Sequence, residues 1–423
     1  MKIKIKENII AIVMNNKVLA FINSHKMNPQ DINPAVCGKA VCEHMLSGLN
    51  GKVIDMPMIR TYLTADGDVP KGINAIVIDA GGTNFRSGLA TFTDDGCSIT
   101  NLAVSEMPGK TEPIGWDAFI SFLVDRIEPL LDQSELIGFC FSYSAEILPD
   151  GDAKVITVDK EVKLLDCEGK MIGVSINDEL FRRGYREKKI VILNDTVAAL
   201  FGGSASVDKS AYSTLAGMIC GTGFNICLSY KSMLYNTEAG FFNGVPQSDA
   251  DAAVDAVSLQ PGEKLLEKEV SGAYIGPVFT EAVKEAAEDG FLDTGVVERL
   301  TKAGIDGSDV DAFSRGIDEH GIFPGEEALA FATDLAGVIF ERSARCACSA
   351  MIGTMLLTGS GTSAEKPAAF FSEGSLIEKS SFFRMYLEKL LDEFALQQLG
   401  LHAVILLGKS TTLPGSAAAV MLN

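Results

Sequence analysis

Ile78-Asp79-Ala80-Gly81-Gly82-Thr83-Asn84-Phe85-Arg86 is the stretch on which the reading of this chain turns. A short apolar run at 73–79 leads into it, two glycines interrupt it, and a strand-like pattern resumes at 86–92. A carboxylate at a strand end meets two residues whose missing Cβ lets backbone N–H groups close on a phosphate, and Thr83 adds a hydroxyl donor. Taken alone, the segment also reads as a plain hairpin turn rich in Gly and Asn.

The text around it is ordered. Trp116, Phe119, Ile120, Leu123, Ile127 and Leu130 recur at intervals of three and four and mark an amphipathic helix, while 136–141 and 190–193 read as buried strands. Strand, helix and strand in that order imply an α/β sheet. After Asn194-Asp195-Thr196 the pattern starts again with a small-residue helix at 196–206, a strand at 215–220, the turn Gly221-Thr222-Gly223 and a strand at 225–230. Segment 78–84 can be laid over 219–225, so the second half repeats the first in outline. Asp195 stands where a buried strand gives way to a helix, and by itself it is equally an N-cap.

Upstream, a helix-like stretch covers 34–48, and the turn-rich segment 64–68 marks a domain boundary. Downstream, 258–305 and 326–352 are helix-rich, 403–407 is the last apolar strand, and an Ala/Val tail after Pro414-Gly415-Ser416 starts a final helix.

Composition narrows the function. The chain has 423 residues, enough for two or three domains at roughly 100–200 residues each. Its net charge of −20 repels phosphate backbones and anionic lipid surfaces, which argues against nucleic-acid and membrane partners. An anion would need a local device such as backbone N–H groups. The nine cysteines lie apart with no C-x-x-C, as reduced core thiols of a cytoplasmic protein would, and four histidines without H-E-x-x-H argue against zinc. The basic start MKIKIKENIIAIVM lacks the cleavage site of a signal peptide, and no run reaches the ~18 apolar residues of a spanning helix. Lys409-Ser410 is not a P-loop, because Ala403 stands where a glycine is needed and Pro414 interrupts a following helix. Gly221-x-Gly223 lacks the third glycine of the dinucleotide fingerprint, since Ile226 occupies that place.

In order, these segments resemble the hexokinase family of the sugar-kinase, actin and heat-shock ATPase superfamily, in a divergent, bacterial-type form. Segment 78–86 resembles its first phosphate loop, including Asn84-Phe85-Arg86, and Phe141-Ser142-Tyr143 the start of its sugar-binding segment. Asn194-Asp195-Thr196 is similar to its catalytic Asn-Asp-Thr, and 221–225 to its second phosphate turn with a sugar-binding Asn225. Asn236-Thr237-Glu238-Ala239-Gly240 resembles its Asn-Thr-Glu-Trp-Gly, and Arg342-Ser343-Ala344 a helix signature. The likeness also has departures. The family's Thr-Lys pair is Asp159-Lys160, and the sugar-binding Glu ending its Gly-x-Tyr-x-Gly-Glu is Pro277, which implies a sugar pocket short of polar partners at that end. Thr358-Gly359-Ser360-Gly361 only approximates its adenosine segment, and Pro414-Gly415-Ser416 its Gly-Ser-Gly turn.

The resemblance implies an α/β protein of two duplicated ribonuclease-H-like domains of the actin-like ATPase type, with a cleft between them. Residues 69–193, completed by about 405–423, would form a small domain and 194–404 a large one, with 1–68 packed on the latter. ATP and Mg²⁺ would enter on one side and a hexose at the bottom. Asp195 would be the base, assisted by Lys160. Ser142, Asp159, Lys160, Asn194, Asn225 and Glu238 would hold the sugar. Asp79, Gly81, Gly82, Thr83, Asn84, Arg86, Gly221, Thr222, Gly223, Gly359, Gly415 and Ser416 would hold the nucleotide, Asp79 also orienting the metal. A monomer or homodimer is expected. The alternative is a non-catalytic sugar sensor on the same fold, for which the departures are the motive.

Overall fold

Two sheets of the same topology organise the chain in a computed structural model that describes residues 15–81, 84–158, 162–408 and 410–423. The first sheet contains β1 (Asn74–Gly81), β2 (Asn84–Thr93), β3 (Gly96–Glu106), β4 (Leu136–Phe141) and β5 (Lys189–Leu193), in the order β5-β4-β1-β2-β3. The second contains β6 (Thr214–Cys220), β7 (Phe224–Tyr230), β8 (Met233–Asn236), β9 (Ala368–Glu373) and β10 (Ala403–Leu407), in the order β8-β7-β6-β9-β10, with Ile59–Arg60 added outside β8. In each, three strands form an antiparallel meander and two more join in parallel beside the first strand of the meander. This is the duplicated ribonuclease-H-like arrangement that the resemblance implied.

The two glycine turns occupy equivalent places. Gly81 pairs with Asn84 across the first hairpin, and Cys220 with Phe224 across the second. Alternation alone would not have placed them there, because β1 and β6 are nearly continuous apolar runs, buried on both faces.

What buries those inner faces is a pair of helices between the sheets. Asp195–Ser204 follows β5 directly and lies on β6, so closely that a Cβ on Gly217 would come within 2.3 Å of the Thr196 carbonyl. Thr412–Leu422 lies on the first sheet, where a Cβ on Gly138 would meet the Ser416 carbonyl at 2.0 Å. Thr412–Leu422 runs through Pro414, against the expectation that this proline interrupts a helix. Pro414 falls in the first turn, where its missing N–H costs no helical bond.

The outer face of the first sheet is covered by Trp116–Ile127 and Ile172–Arg182. The second is backed by a larger apolar core around the 33-residue helix Glu326–Thr358. Against that helix lies Pro34–Leu49, which starts at Asn33, whose side chain accepts from the N–H groups of Ala35 and Val36. All nine cysteines are unpaired, and no described helix is long and apolar enough to cross a membrane.

Candidate active site

The C-terminal ends of β1, β5, β6 and β9 lie at one region, the end of a parallel strand set at which ligands of open α/β sheets are held. Asp79, near the end of β1, is buried and accepts a 2.8 Å hydrogen bond from Arg86 Nε, its partner across the hairpin. Burial pushes the Asp79 carboxyl above its ordinary value, Arg86 opposes this, and the charges of Asp195 and Glu373 add to the upward push. Three carboxylates from three elements therefore share one field.

Gly81 is a glycine for a local reason. A Cβ there would sit 2.7 Å from Ser142 Oγ, so only a glycine lets the segment after β4 lie against the first turn. Ser142 N–H donates to the Ala80 carbonyl at 3.1 Å. Asn84 is exposed at the start of β2 and Arg86 partly so. Gly82, Thr83, Asp159 and Lys160 lie outside the described residues.

In the second turn, Gly221 N–H donates to the Gly223 carbonyl at 3.0 Å and Thr222 is exposed. A Cβ on Gly221 would come within 3.0 Å of Gly374 Cα and Ser375 N, and one on Gly223 within 2.9 Å of Glu267 Oε2. The turn is thus held between the end of β9 and the helix Leu265–Val270.

Asn194 caps Asp195–Ser204 by accepting from Thr196 N–H at 2.8 Å. Asp195 Oδ1 accepts from the same N–H at 2.8 Å and from Thr196 Oγ1 at 3.2 Å, which fixes the carboxylate. Beyond it, Asn225 Nδ2 donates to Asn236 Oδ1 at 2.7 Å and to Glu238 Oε1 at 3.3 Å, and Asn236 Nδ2 to Glu238 Oε1 at 2.6 Å. Asn225 Oδ1 accepts from Ala239 N–H at 3.1 Å. Glu238 itself has φ 52°, a left-handed conformation that a non-glycine residue rarely adopts and that clusters at functional sites. Burial raises its carboxyl, Lys264 pulls it down, and Glu267 and Asp195 push it up.

Several sequence expectations need correction. Pro277 is exposed within the helix Gly272–Glu288, so its lack of a carboxylate does not impoverish the pocket. The carboxylate at that end is Glu267, whose Oε2 accepts from Phe224 N–H at 3.1 Å and which packs against Gly240. Gly359 is the exposed C-cap of Glu326–Thr358. Gly361 N–H donates to Ser213 Oγ and its carbonyl accepts from His402 N–H, which puts this segment at the starts of β6 and β10, the opposite edge from the glycine turns. Gly415 and Ser416 are buried between the inner helices, where a Cβ on Gly415 would meet the Ala198 carbonyl at 2.0 Å and Ser416 Oγ donates to Thr412 O. Packing occupies both, leaving neither to touch a nucleotide.

Beside Gly221 stand Gly374 and Ser375, preceded by Glu373, whose Oε1 accepts from Thr411 N–H. The signal for Glu373 was available: an apolar strand ending in an acid and a glycine, as at Asp79. Nothing in the sequence separates Glu267 from Glu263 and Glu269; only the packing does.

Comparison with known proteins gives the family. Two models of the family described as hexokinase match the chain, one over residues 18–205 and the other over 215–422. Hexokinase-3 of Mus musculus is 28% identical over 276 residues, 60% of this chain and 30% of that protein. Hexokinase-1 of Schizosaccharomyces pombe is 24% identical over 295 residues, 63% of this chain and 60% of that protein. The chain thus spans less than two thirds of the length of either. The solved structure of a hexokinase from Schistosoma mansoni complexed with glucose superposes with a TM-score of 0.76 at 19% identity, over 96% of this chain and 98% of that one.

Proposed function

Because the chain belongs to the hexokinase family, we propose that it is an ATP-dependent kinase that moves the γ-phosphate of ATP to the 6-hydroxyl of a hexose, glucose or a close relative. The observation that carries the reading is the position of Asp195, which starts the helix that follows β5 of the first sheet and packs on β6 of the second. A base between an anion cradle and a polyol-binding cluster is what phosphoryl transfer to a sugar requires.

Asp195 Oδ2 would take the hydroxyl proton as the new O–P bond forms, with Thr196 holding the carboxylate in place. Asn225, Glu238 and Glu267, with Ser142, Asn194, Asp159 and Lys160, are assigned to the sugar hydroxyls, because a polyol needs several convergent donors and acceptors. The Cβ-free backbones at Gly81, Gly221 and Gly223 suit phosphate oxygens, and Thr83, Asn84 and Thr222 add polar groups on the same turns. Gly374 and Ser375 extend that cradle. A divalent cation, Mg²⁺, would neutralise phosphate charge; Asp79, oriented by Arg86, is the group suited to hold it. The domain division at 69–193 and 194–404 remains our proposal, with the second joint placed between β10 and Thr412–Leu422. Closure of the halves would exclude water and limit ATP hydrolysis.

The test is ADP release with a panel of hexoses, for the unaltered protein and Asp195→Asn. General-base loss should lower kcat by at least ~10²-fold with sugar affinity nearly kept. Near-normal turnover in the folded variant removes Asp195 as the base. No turnover with any hexose in the unaltered protein would favour the non-catalytic sensor.

A further inference from the structure

Two charged residues of opposite sign adopt left-handed backbone conformations on two adjoining elements at the polar side of the site. Glu238 (φ 52°) opens the turn Ala239–Phe241, and Lys264 (φ 54°) opens the helix Leu265–Val270 that carries Glu267. These elements are knitted together, since Leu266 N–H donates to the Phe242 carbonyl at 3.0 Å and a Cβ on Gly240 would meet Glu267 Cβ at 3.0 Å. Lys264 Nζ lies 5.3 Å from the centroid of the Phe241 ring, three residues after Glu238. A ring face attracts an ammonium and restricts where it can go. Neither backbone conformation is relaxed for these residue types, so both are held by the surrounding structure.

Resting on the sugar-kinase reading above, we propose that Lys264 is a positioning residue of the sugar pocket, seated on Phe241 as the counter-charge of the Glu238 carboxylate. Such a residue has work to do here. Among the described residues, the groups that act on Glu238 are Lys264 from the start of Leu265–Val270, Glu267 from the same helix, Asp195 from Asp195–Ser204, and the neutral Asn225 and Asn236 amides, which donate to its Oε1. Two of the three charged ones are carboxylates in a half-dry site, and Lys264 alone among them opposes the protonation that would convert an acceptor of sugar hydroxyls into a donor. The chain's −20 charge makes such a local cation more telling, not less.

The experiment is glucose binding by calorimetry from mildly acid to weakly alkaline pH, for the unaltered protein, Lys264→Met, Lys264→Arg, Glu238→Gln and the Lys264→Met/Glu238→Gln double variant. Met keeps the aliphatic stem against Phe241, and a melting curve checks each fold. Glu238 is ionised on the alkaline side, so affinity falls as pH drops through its folded pKa. Without Lys264 that fall should begin at a pH about one unit higher, giving roughly tenfold weaker binding on the slope and equal binding on the alkaline plateau. Lys264→Arg should restore the unaltered profile, and in the Glu238→Gln background Lys264→Met should move nothing. A weakening equal at every pH, or a slope that stays put, overturns the proposal while leaving the kinase reading intact. Absence of hexose binding and turnover in the unaltered protein overturns both.

Discussion

Glu267 touches both sides of the site at once. Its Oε2 accepts from Phe224 N–H beside the phosphate turn, and its Cβ lies against the Gly240 turn that follows Glu238. On our assignment it also meets the sugar, so Glu267→Gln should keep the fold and lose a charged hydrogen bond. Such a bond is worth ~1.5–3 kcal/mol, or about tenfold to more than a hundredfold in KM for glucose. Steady-state kinetics on one preparation decide it, and an unchanged KM would assign Glu267 to turn support alone. This residue also marks a limit of the sequence. Asp79, Asp195 and Glu238 were legible because each sits at a strand end or in a short motif, where local chemistry advertises itself. Glu267 is selected by tertiary packing, and a motif read ten residues too far along, at Pro277, pointed instead to an exposed helix face.

At the scale of elements, the joint between the halves is made by close backbone approach. A Cβ on Gly415 would meet the Ala198 carbonyl at 2.0 Å, and one on Gly202 the Thr411 carbonyl at 2.5 Å, so the inner helices touch with no side chain between them. Gly415→Ala must therefore push Thr412–Leu422 away from Asp195–Ser204 or off the first sheet. Overpacking of this kind costs about 1–3 kcal/mol, read as a lower urea midpoint. A variant of unaltered stability with a raised KM for ATP would instead return Gly415 to the nucleotide site. The strands and their glycine hairpins were legible because apolar runs and Gly-rich turns are local signals. Which glycines face ligand and which face another helix is not a local property, and so Gly359 and Gly415 were misplaced.

At the scale of the whole molecule, duplication gives the site its opening. Asp79, Gly81 and Ser142 belong to the first sheet and its loops, whereas Asn225, Glu238 and Glu267 belong to the second, and Asp195 lies at the crossing. Three covalent crossings join the halves: Ile59–Arg60, paired with β8, into β1; β5 into Asp195–Ser204; and β10 into Thr412–Leu422. Asn423 adds a tie, its Oδ1 accepting from Thr64 N–H at 2.8 Å, so the segment read as a boundary is pinned to the C-terminus. Asp79, Asp195, Glu238, Glu267 and Glu373 put negative charge on both sides of the cleft, which resists closure without a ligand. A sugar that hydrogen-bonds to both halves would offset this repulsion, and we expect it to draw them together. Small-angle scattering should then report a smaller radius of gyration with saturating glucose. The single Trp116 offers a second readout. It is buried in the first half, donates to Ser175 Oγ at 3.1 Å and shares a core with Val162 and Leu164, which follow Asp159-Lys160 in the chain. Its fluorescence should change with the same glucose dependence as the scattering, and Trp116→Phe should remove the optical signal but not the compaction. Saturating binding with neither signal would make the cleft rigid, and exclusion of water would then have to come from loops rather than from movement of the halves.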